Sequence, residues 1–233
     1  MKRIIFSIFI ILSLLVFSVS AQTGAQAAFE KGMNSAQSGK YETALAEFQT
    51  SLAFAESDHT KNEFLAKIHF NIGVCLYQLK QNKQAVPEFE QAVKLNGGDY
   101  EKAFYALGMT QAELKNWQAA EQAFRGAIGL NRRSGEAWFD LAFVYLAQND
   151  FDSARNAFQK SVQYKSVASP VSHNNLGVIS AINGDLTSAV KEFEKALKES
   201  NGKFTVAERN LQFCKSLGQN LSGDLVAKLE FKK

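Results

Sequence analysis

Small and aromatic residues return along this chain at nearly constant intervals, and this repetition limits the possible folds more than any other feature. Gly73, Gly108, Ala142 and Gly177 follow one another at spacings of 35, 34 and 35 residues. Each is followed after twelve residues by an alanine and after sixteen by a phenylalanine, and Gly32 begins a further copy. Such a period indicates one helical unit copied in tandem. One copy is too small to bury its own apolar face, so neighbouring copies must stack into a continuous core.

The fourth copy shows most clearly what one unit contains. Its first apolar stripe has the i, i+3, i+4, i+7 spacing of one helical face and comprises Trp138, Leu141, Ala142 and Tyr145. After a polar break at residues 148–150, Ala154 and Phe158 mark a second helix. The small residues let the two helices approach closely. Short polar residues that can accept from free first-turn N–H groups precede three second helices, at Asn116, Asp150 and Asp185.

This pattern resembles the tetratricopeptide repeat (TPR), whose signature is W-x2-L-G-x2-Y followed by A-x3-F. The alignment predicts an all-α fold with about five helix-turn-helix repeats and a C-terminal capping helix. The resemblance implies a right-handed curved solenoid that acts as a non-catalytic scaffold for protein or peptide partners. We place the five repeats near 25–58, 66–99, 101–134, 135–168 and 170–203. The capping helix follows at 204–217 and a tail at 218–233.

The first residues have the composition of a secretory signal peptide. A positive start at residues 1–3 precedes an apolar run at residues 4–19, and small residues at 19–21 offer a cleavage site. We therefore predict a signal peptide at 1–21 and an exported protein, periplasmic or extracellular, with a bacterial envelope favoured. The alternative is that the segment is retained and anchors an assembly subunit in a membrane, although the run is short for a span.

The remaining residues give little support to catalysis, metal binding or nucleic-acid binding. The net charge of +3 includes no basic block that could follow a phosphate backbone. His69 and His173 stand where Trp138 stands in its repeat, three repeats apart, and cannot share a metal. Glu192 and Glu194 are expected on solvated faces. We predict no cofactor and no catalytic residues, and the less favoured alternative is an envelope enzyme that uses the groove as a cleft.

Three local features carry separate expectations. The first repeat interval is 41 residues long, which predicts a helix ending near Ser57 and a polar loop that leaves His59 in solvent. Ser169 and Pro170 are expected as the N-cap and first residue of a helix. Cys75 and Cys214 lie three repeats apart, too far for a bridge when helices pack at about 8–10 Å. We therefore predict two free thiols, at least one of them buried.

A second apolar stripe runs along the first helices, at places that line the inner groove of TPR proteins. A surface helix should be polar outside its core stripe. The alternative is that these residues pack against the next repeat. The family's clamp for a carboxylate terminus uses Lys and Asn at such places, where this chain has aromatic residues, so we predict an apolar or aromatic-rich partner segment instead. The predicted groove residues are Phe29, Met33, Phe70, Tyr77, Tyr105, Met109, Phe139 and Phe143.

Overall fold

The structure of the chain, a computed structural model, describes residues 24–57, 61–217 and 231–232. Over these ranges it contains eleven helices and no strand, which confirms the all-α prediction. The predicted signal peptide, His59 and the predicted tail apart from Phe231 and Lys232 lie outside the described residues. The helices are α1 (residues 24–37), α2 (Tyr41–Ser57), α3 (Asn62–Gln78), α4 (Asn82–Leu95), α5 (Glu101–Glu113), α6 (Trp117–Leu130), α7 (Gly135–Ala147), α8 (Phe151–Gln163), α9 (Ser169–Ile182), α10 (Leu186–Glu199) and α11 (Thr205–Leu217).

The chain divides into two compact units. Unit one ends at Asn116 and unit two begins at Trp117. In unit one, α2 packs against α3, α3 against α4 and α4 against α5. The Ser51 hydroxyl, which is fully buried, donates to the Ala25 carbonyl at 2.8 Å and so joins α2 to α1. In unit two, consecutive helices from α6 to α11 pack in order, and α11 also contacts α9.

The phenylalanine of each second helix forms the centre of its repeat. At most 1 per cent of the residue is exposed at Phe48 and Phe89 in unit one and at Phe158 and Phe193 in unit two. The space for each ring comes from the small residue of the first helix. A Cβ built on Gly73 would lie 2.7 Å from the Phe89 ring. The repeat therefore needs a small residue at this place because the ring occupies the volume that a larger side chain would fill.

Each first helix ends in the same way. The residue seven places after the small residue has a positive φ, between 59° and 82°, and the following N–H donates to a carbonyl five residues earlier at 2.8–2.9 Å. This is the Schellman ending, which satisfies carbonyls that the helix leaves free. Glycine accepts the left-handed conformation readily, whereas a lysine does so at a cost. The left-handed residues are Gly39, Lys80, Lys115, Asn149 and Gly184.

Asn116, Asp150 and Asp185 each directly precede a second helix, as predicted, whereas the prediction for Ser169 fails. The Asn116 amide donates to Gln111 Oε1 at 2.9 Å. Asp150 accepts from the Ser153 N–H at 3.0 Å, and Asp185 accepts from the Ser188 N–H at 2.9 Å, so both cap second helices as expected. The prediction that Ser169 is an N-cap is wrong. Ser169 is the first residue of α9 and Ala168 is its N-cap, while the Ser169 hydroxyl donates to the Glu199 carboxylate at 2.6 Å. Among the described helices, none is long and apolar enough to cross a membrane.

Candidate peptide-binding surfaces

Six of the predicted groove residues belong to unit one, and we call them the unit-one strip. They are half-buried and comprise Phe29 and Met33 on α1, Phe70 and Tyr77 on α3, and Tyr105 and Met109 on α5. The ring of Phe29 lies 5.4 Å from that of Phe48, and the ring of Phe70 lies 5.9 Å from that of Phe89. Each of these rings therefore packs on the buried phenylalanine of its own repeat and keeps part of its surface exposed.

The unit-one strip also touches residues that the sequence analysis did not single out. Phe29 packs against Phe64 of α3 with ring centroids 5.4 Å apart. Phe70 packs against Tyr100, at the N-terminus of α5, at 5.2 Å, and burial raises the pKa of the Tyr100 hydroxyl. The alternative noted from the sequence, packing against the next repeat, therefore describes one side of these rings. The exposed remainder is the part available to a partner.

The other two predicted groove residues, Phe139 and Phe143, lie on α7 in unit two. Their rings meet edge to face at 5.1 Å, and both pack on Phe158, at 6.1 and 5.3 Å. Both are half-buried. Aromatic pairs of this geometry contribute beyond the area that they bury. These two side chains thus support the core of the fourth repeat as well as offering an aromatic surface.

The first helix of the fifth repeat, α9, and the capping helix α11 enclose a chain of asparagine amides. Asn174 and Asn175 are fully buried and Asn210 is exposed by 3 per cent. The Asn210 amide donates to Asn174 Oδ1 at 2.9 Å, and the Asn174 amide donates to Asn175 Oδ1 at 3.1 Å. Buried amides are tolerated when they are hydrogen-bonded. This chain of bonds fixes the orientation of the last amide, that of Asn175.

The amide of Asn175 holds two residues from the end of the same chain. Its Nδ2 donates to the Lys232 carbonyl at 2.8 Å, and its Oδ1 accepts from the Lys232 N–H at 2.9 Å. Phe231 packs on an apolar cluster that includes Val178, Phe193 and Cys214. Asn175 is not among the residues predicted from the sequence. The sequence does contain a signal for this site, namely two consecutive asparagines inside a helix, because asparagine is a poor helix former.

A histidine and a glutamate pair in the same way in two repeats. His69 Nδ1 lies 2.6 Å from Glu88 Oε2, and His173 Nδ1 lies 2.6 Å from Glu192 Oε2. The expectation that Glu192 is solvated is wrong, because it packs beside the buried His173. Burial alone would raise the pKa of the Glu192 carboxyl, but hydrogen bonds from His173 and Lys195 outweigh burial and hold it below its ordinary value. Glu194 is exposed, as expected.

The His173 pair borders a cavity of about 620 Å³ that is lined by α8, α9 and α10. Arg155, Glu192 and Lys195 contribute charges of both signs to its lining. Within the described ranges, no group of three His, Cys, Asp or Glu residues is arranged to hold a metal ion. The cavity therefore has charged residues in its lining, unlike the unit-one strip and the pair Phe139 and Phe143.

Both cysteines are free and buried, as predicted, Cys75 in unit one and Cys214 in unit two. Burial raises the pKa of the Cys75 thiol to about 11. Burial also raises the pKa of the Cys214 thiol. Because the thiolate is the reactive form, neither residue has the character of a nucleophile.

Paired helices with this spacing, one after another and closed by a further helix, define a repeat scaffold. Comparisons with known families agree: tetratricopeptide repeat profiles match residues 25–97, 111–165, and 71–137 with 139–204. The chain belongs to the tetratricopeptide repeat family.

Curated relatives are large subunits of complexes. A segment of 131 residues, 56% of this chain, is 25% identical to the BBSome complex member BBS4 of Mus musculus. A segment of 123 residues, 53% of this chain, is 27% identical to anaphase-promoting complex subunit 3 of Schizosaccharomyces pombe. The aligned segments span 25% and 17% of the length of these relatives, so the likeness concerns only a part of each of them.

Solved structures match more of the chain and show the fold. A crystal structure of MamA aligns with a TM-score of 0.67 at 22% identity, over 77% of this chain and 93% of that one. MamA from Desulfovibrio magneticus RS-1 gives 0.67 at 20% identity, over 78% and 97%. YrrB, described as a TPR protein with an unusual peptide-binding site, gives 0.66 at 20% identity, over 79% and 90%. The prediction of a TPR solenoid is thereby confirmed.

Proposed function

We propose that this chain is an exported, non-catalytic scaffold that binds an apolar or aromatic-rich segment of a protein along its first helices. The observation that carries the proposal is the unit-one strip, in which six apolar side chains at matching places of three helices stay partly exposed. Phe, Tyr and Met bury a large area, and aromatic side chains do so with few rotatable bonds, so they serve well as anchors in interfaces. A protein-binding role is also in keeping with the complexes and the peptide site of the relatives.

The strip favours an apolar segment over a charged one. Its six residues are four aromatic side chains and two methionines, and none carries a formal charge. An apolar surface of this kind gains by leaving water, whereas a charged ligand would lose hydration without an opposite charge to replace it. Phe139 and Phe143 present the same chemistry in unit two. A carboxylate terminus would find no cation among these eight positions.

Export is proposed on the composition of residues 1–21, and a role in cell-envelope assembly follows as the finer form of the proposal. Retention of the N-terminal segment would make the chain a membrane-anchored assembly subunit instead. N-terminal sequencing of the protein from its source separates the two: a mature start at Gln22 supports cleavage, and a start at Met1 supports the anchor. An enzyme that uses the groove as a cleft is not supported by any constellation described above.

The proposal is tested by identifying a partner and then changing the strip. The mature domain is used to retain proteins from the source envelope, the retained protein is purified, and its affinity is measured by calorimetry. Tyr105→Ser combined with Met109→Ser removes two strip side chains, and we expect the affinity to fall at least about tenfold, as for loss of interface anchors. The matched control is Phe54→Ser, which removes an aromatic residue that is 44% exposed on a second helix.

Circular dichroism of the same variants reports whether the fold is intact. If the strip variant keeps its helical signal and its affinity, the partner binds elsewhere and the proposed surface is wrong. If the control weakens binding as much as the strip variant, the effect is not specific to the first helices. If the strip variant unfolds, the single change Met109→Gln is measured in its place, because it keeps the length of the side chain and removes its apolar end.

A further inference from the structure

The contact between Asn175 and Lys232 has the form of peptide recognition. One side-chain amide pairs its donor and its acceptor with the carbonyl and the N–H of a single residue, at 2.8 and 2.9 Å. Backbone groups are the same in every residue except proline, so this pair of bonds requires no particular side chain at that position. The side chain of Lys232 is exposed. The contact therefore recognises a stretch of backbone.

The amide of Asn175 is held ready for this contact by its neighbours. Because Asn174 Oδ1 accepts from Asn210, its own Nδ2 is directed to Asn175 Oδ1. Asn175 Oδ1 then accepts from both Asn174 and Lys232, and its Nδ2 is left to donate to the Lys232 carbonyl. An amide carbonyl can accept two hydrogen bonds, so both roles are satisfied. All three asparagines lie on α9 and α11, within unit two.

A side-chain pocket lies beside the backbone contact. Phe231 packs on the cluster formed by Val178, Ala181, Ala189, Phe193 and Cys214, each exposed by at most 1 per cent, and it stays partly exposed itself. The pocket is apolar and borders the ring at the centre of the fifth repeat. An aromatic residue placed one position before the backbone contact fits it. The site thus combines one apolar requirement with one backbone requirement.

We infer that this face of α9 and α11 is a binding site for a non-helical protein segment with an aromatic residue, and that Phe231 and Lys232 of the same chain are its resident ligand. The chain occupies its own site, and an external segment of the same chemistry binds by displacing the C-terminal residues. The site uses none of the eight predicted groove residues. Its failure would therefore leave the proposed function of the strips untouched.

The competition between the C-terminal residues and an external segment should change the apparent affinity for the external segment by a measurable factor. A segment that belongs to the same chain as its site is present at an effective concentration of about 1 mM. If the free segment binds with a dissociation constant of about 0.1 mM, the tethered copy lowers the apparent affinity of an external copy about tenfold. Removing Phe231 and Lys232 from the site should raise the apparent affinity for the external copy by the same factor of about ten.

The experiment measures fluorescence anisotropy with a labelled synthetic peptide of residues 228–233, Lys-Leu-Glu-Phe-Lys-Lys. The proteins are the full chain and two full-length variants, Phe231→Ser and Phe231→Ser with Asn175→Ala. We expect Phe231→Ser to bind the peptide about tenfold more tightly than the unchanged chain, and the double variant to lose that gain. Asn156→Ala, an exposed asparagine on α8, is the matched control in the Phe231→Ser background and should keep the gain.

Each other outcome overturns the inference in a defined way. Equal peptide affinity for the unchanged chain and Phe231→Ser would show that the C-terminal residues do not occupy the site. Equal affinity for Phe231→Ser with and without Asn175→Ala would show that the amide does not bind the segment. If light scattering finds a dimer that Phe231→Ser dissociates, the resident residues belong to a second copy. Should Asn175→Ala unfold the chain, a peptide with Phe replaced by Ser, which must bind at least about tenfold more weakly, tests the pocket instead.

Discussion

Replacing Gly177 with alanine measures how tightly the two helices of a repeat are packed. The added Cβ would lie 2.6 Å from Phe193 Cε1 and 2.8 Å from Cδ1, and this ring is fully buried. Overpacking of this kind costs about 1–3 kcal/mol. Alanine is a better helix former than glycine by about 1 kcal/mol, which offsets part of that cost. We expect the variant to lose up to about 2 kcal/mol of the free energy of unfolding.

Two further changes in unit two separate packing from helix propensity. At Gly129 nothing lies within 4 Å of an added Cβ, so Gly129→Ala should stabilise the chain by up to about 1 kcal/mol. Ala142 is the fully buried alanine that takes the place of glycine in the fourth repeat. Ala142→Gly loses propensity and a buried methyl group, so it should cost about 2 kcal/mol. The three variants therefore differ in sign as well as in size.

Urea unfolding followed by circular dichroism gives the comparison. Repeat proteins depart from two-state behaviour when their repeats uncouple, so the midpoints are compared only if the slope with denaturant is unchanged. The reasoning is refuted if Gly177→Ala gains as much stability as Gly129→Ala. In that case the Phe193 ring yields without cost, and glycine is not required at the contact between the helices.

Three other changes test features described above. Lys80→Gly and Lys115→Gly should each raise the melting temperature, because a left-handed L-residue costs about 1–2 kcal/mol and the greater chain entropy of unfolded glycine removes only part of the gain; a fall would show that these turns are not strained. Glu192→Gln should destabilise the chain at neutral pH, where the carboxylate bonded to His173 stabilises the fold. Since the pKa of the Glu192 carboxyl in the folded chain is below the usual 4.5, the loss of stability in the variant should shrink as the pH falls from 4.5 through this lower pKa. A difference in stability between the two proteins that does not change with pH would contradict the stabilising role of the Glu192 carboxylate. Cys75, with a pKa of about 11, should react with a thiol reagent at pH 8 only on unfolding, and rapid labelling of the native chain would disprove its burial.

The repeated core could be predicted from the sequence because its spacing follows from helix geometry. A small residue, an alanine twelve places on and a phenylalanine sixteen places on must face one another wherever two helices are joined by a short turn. Gly73 and Phe89 illustrate the result, since the ring fills the space that the glycine leaves. The left-handed turn residue was also within reach, as glycine or asparagine occupies that place in three of the five repeats.

The asparagine site could not be predicted in the same way. Asn175 and Lys232 are 57 residues apart, and the second of them lies outside the repeats, so no periodicity relates them. The pairing of His173 with Glu192 is an intermediate case. It spans nineteen residues, as does the pairing of His69 with Glu88, but the spacing alone does not say that the two side chains face each other. Side-chain contacts that do not follow from the repeat spacing can be identified only from the three-dimensional structure.

The uniform ending of the first helices bears on how an array of this kind can change in length. Because the same left-handed turn ends all five first helices, a genetic exchange with its breakpoint at this residue would join any first helix to any second helix through the same turn. Duplication or deletion would then proceed in steps of a whole helix pair. The 41-residue first interval of this chain accommodates its extra length in another way, because α2 and α3 have 17 residues each, whereas α4 to α10 have 13 or 14.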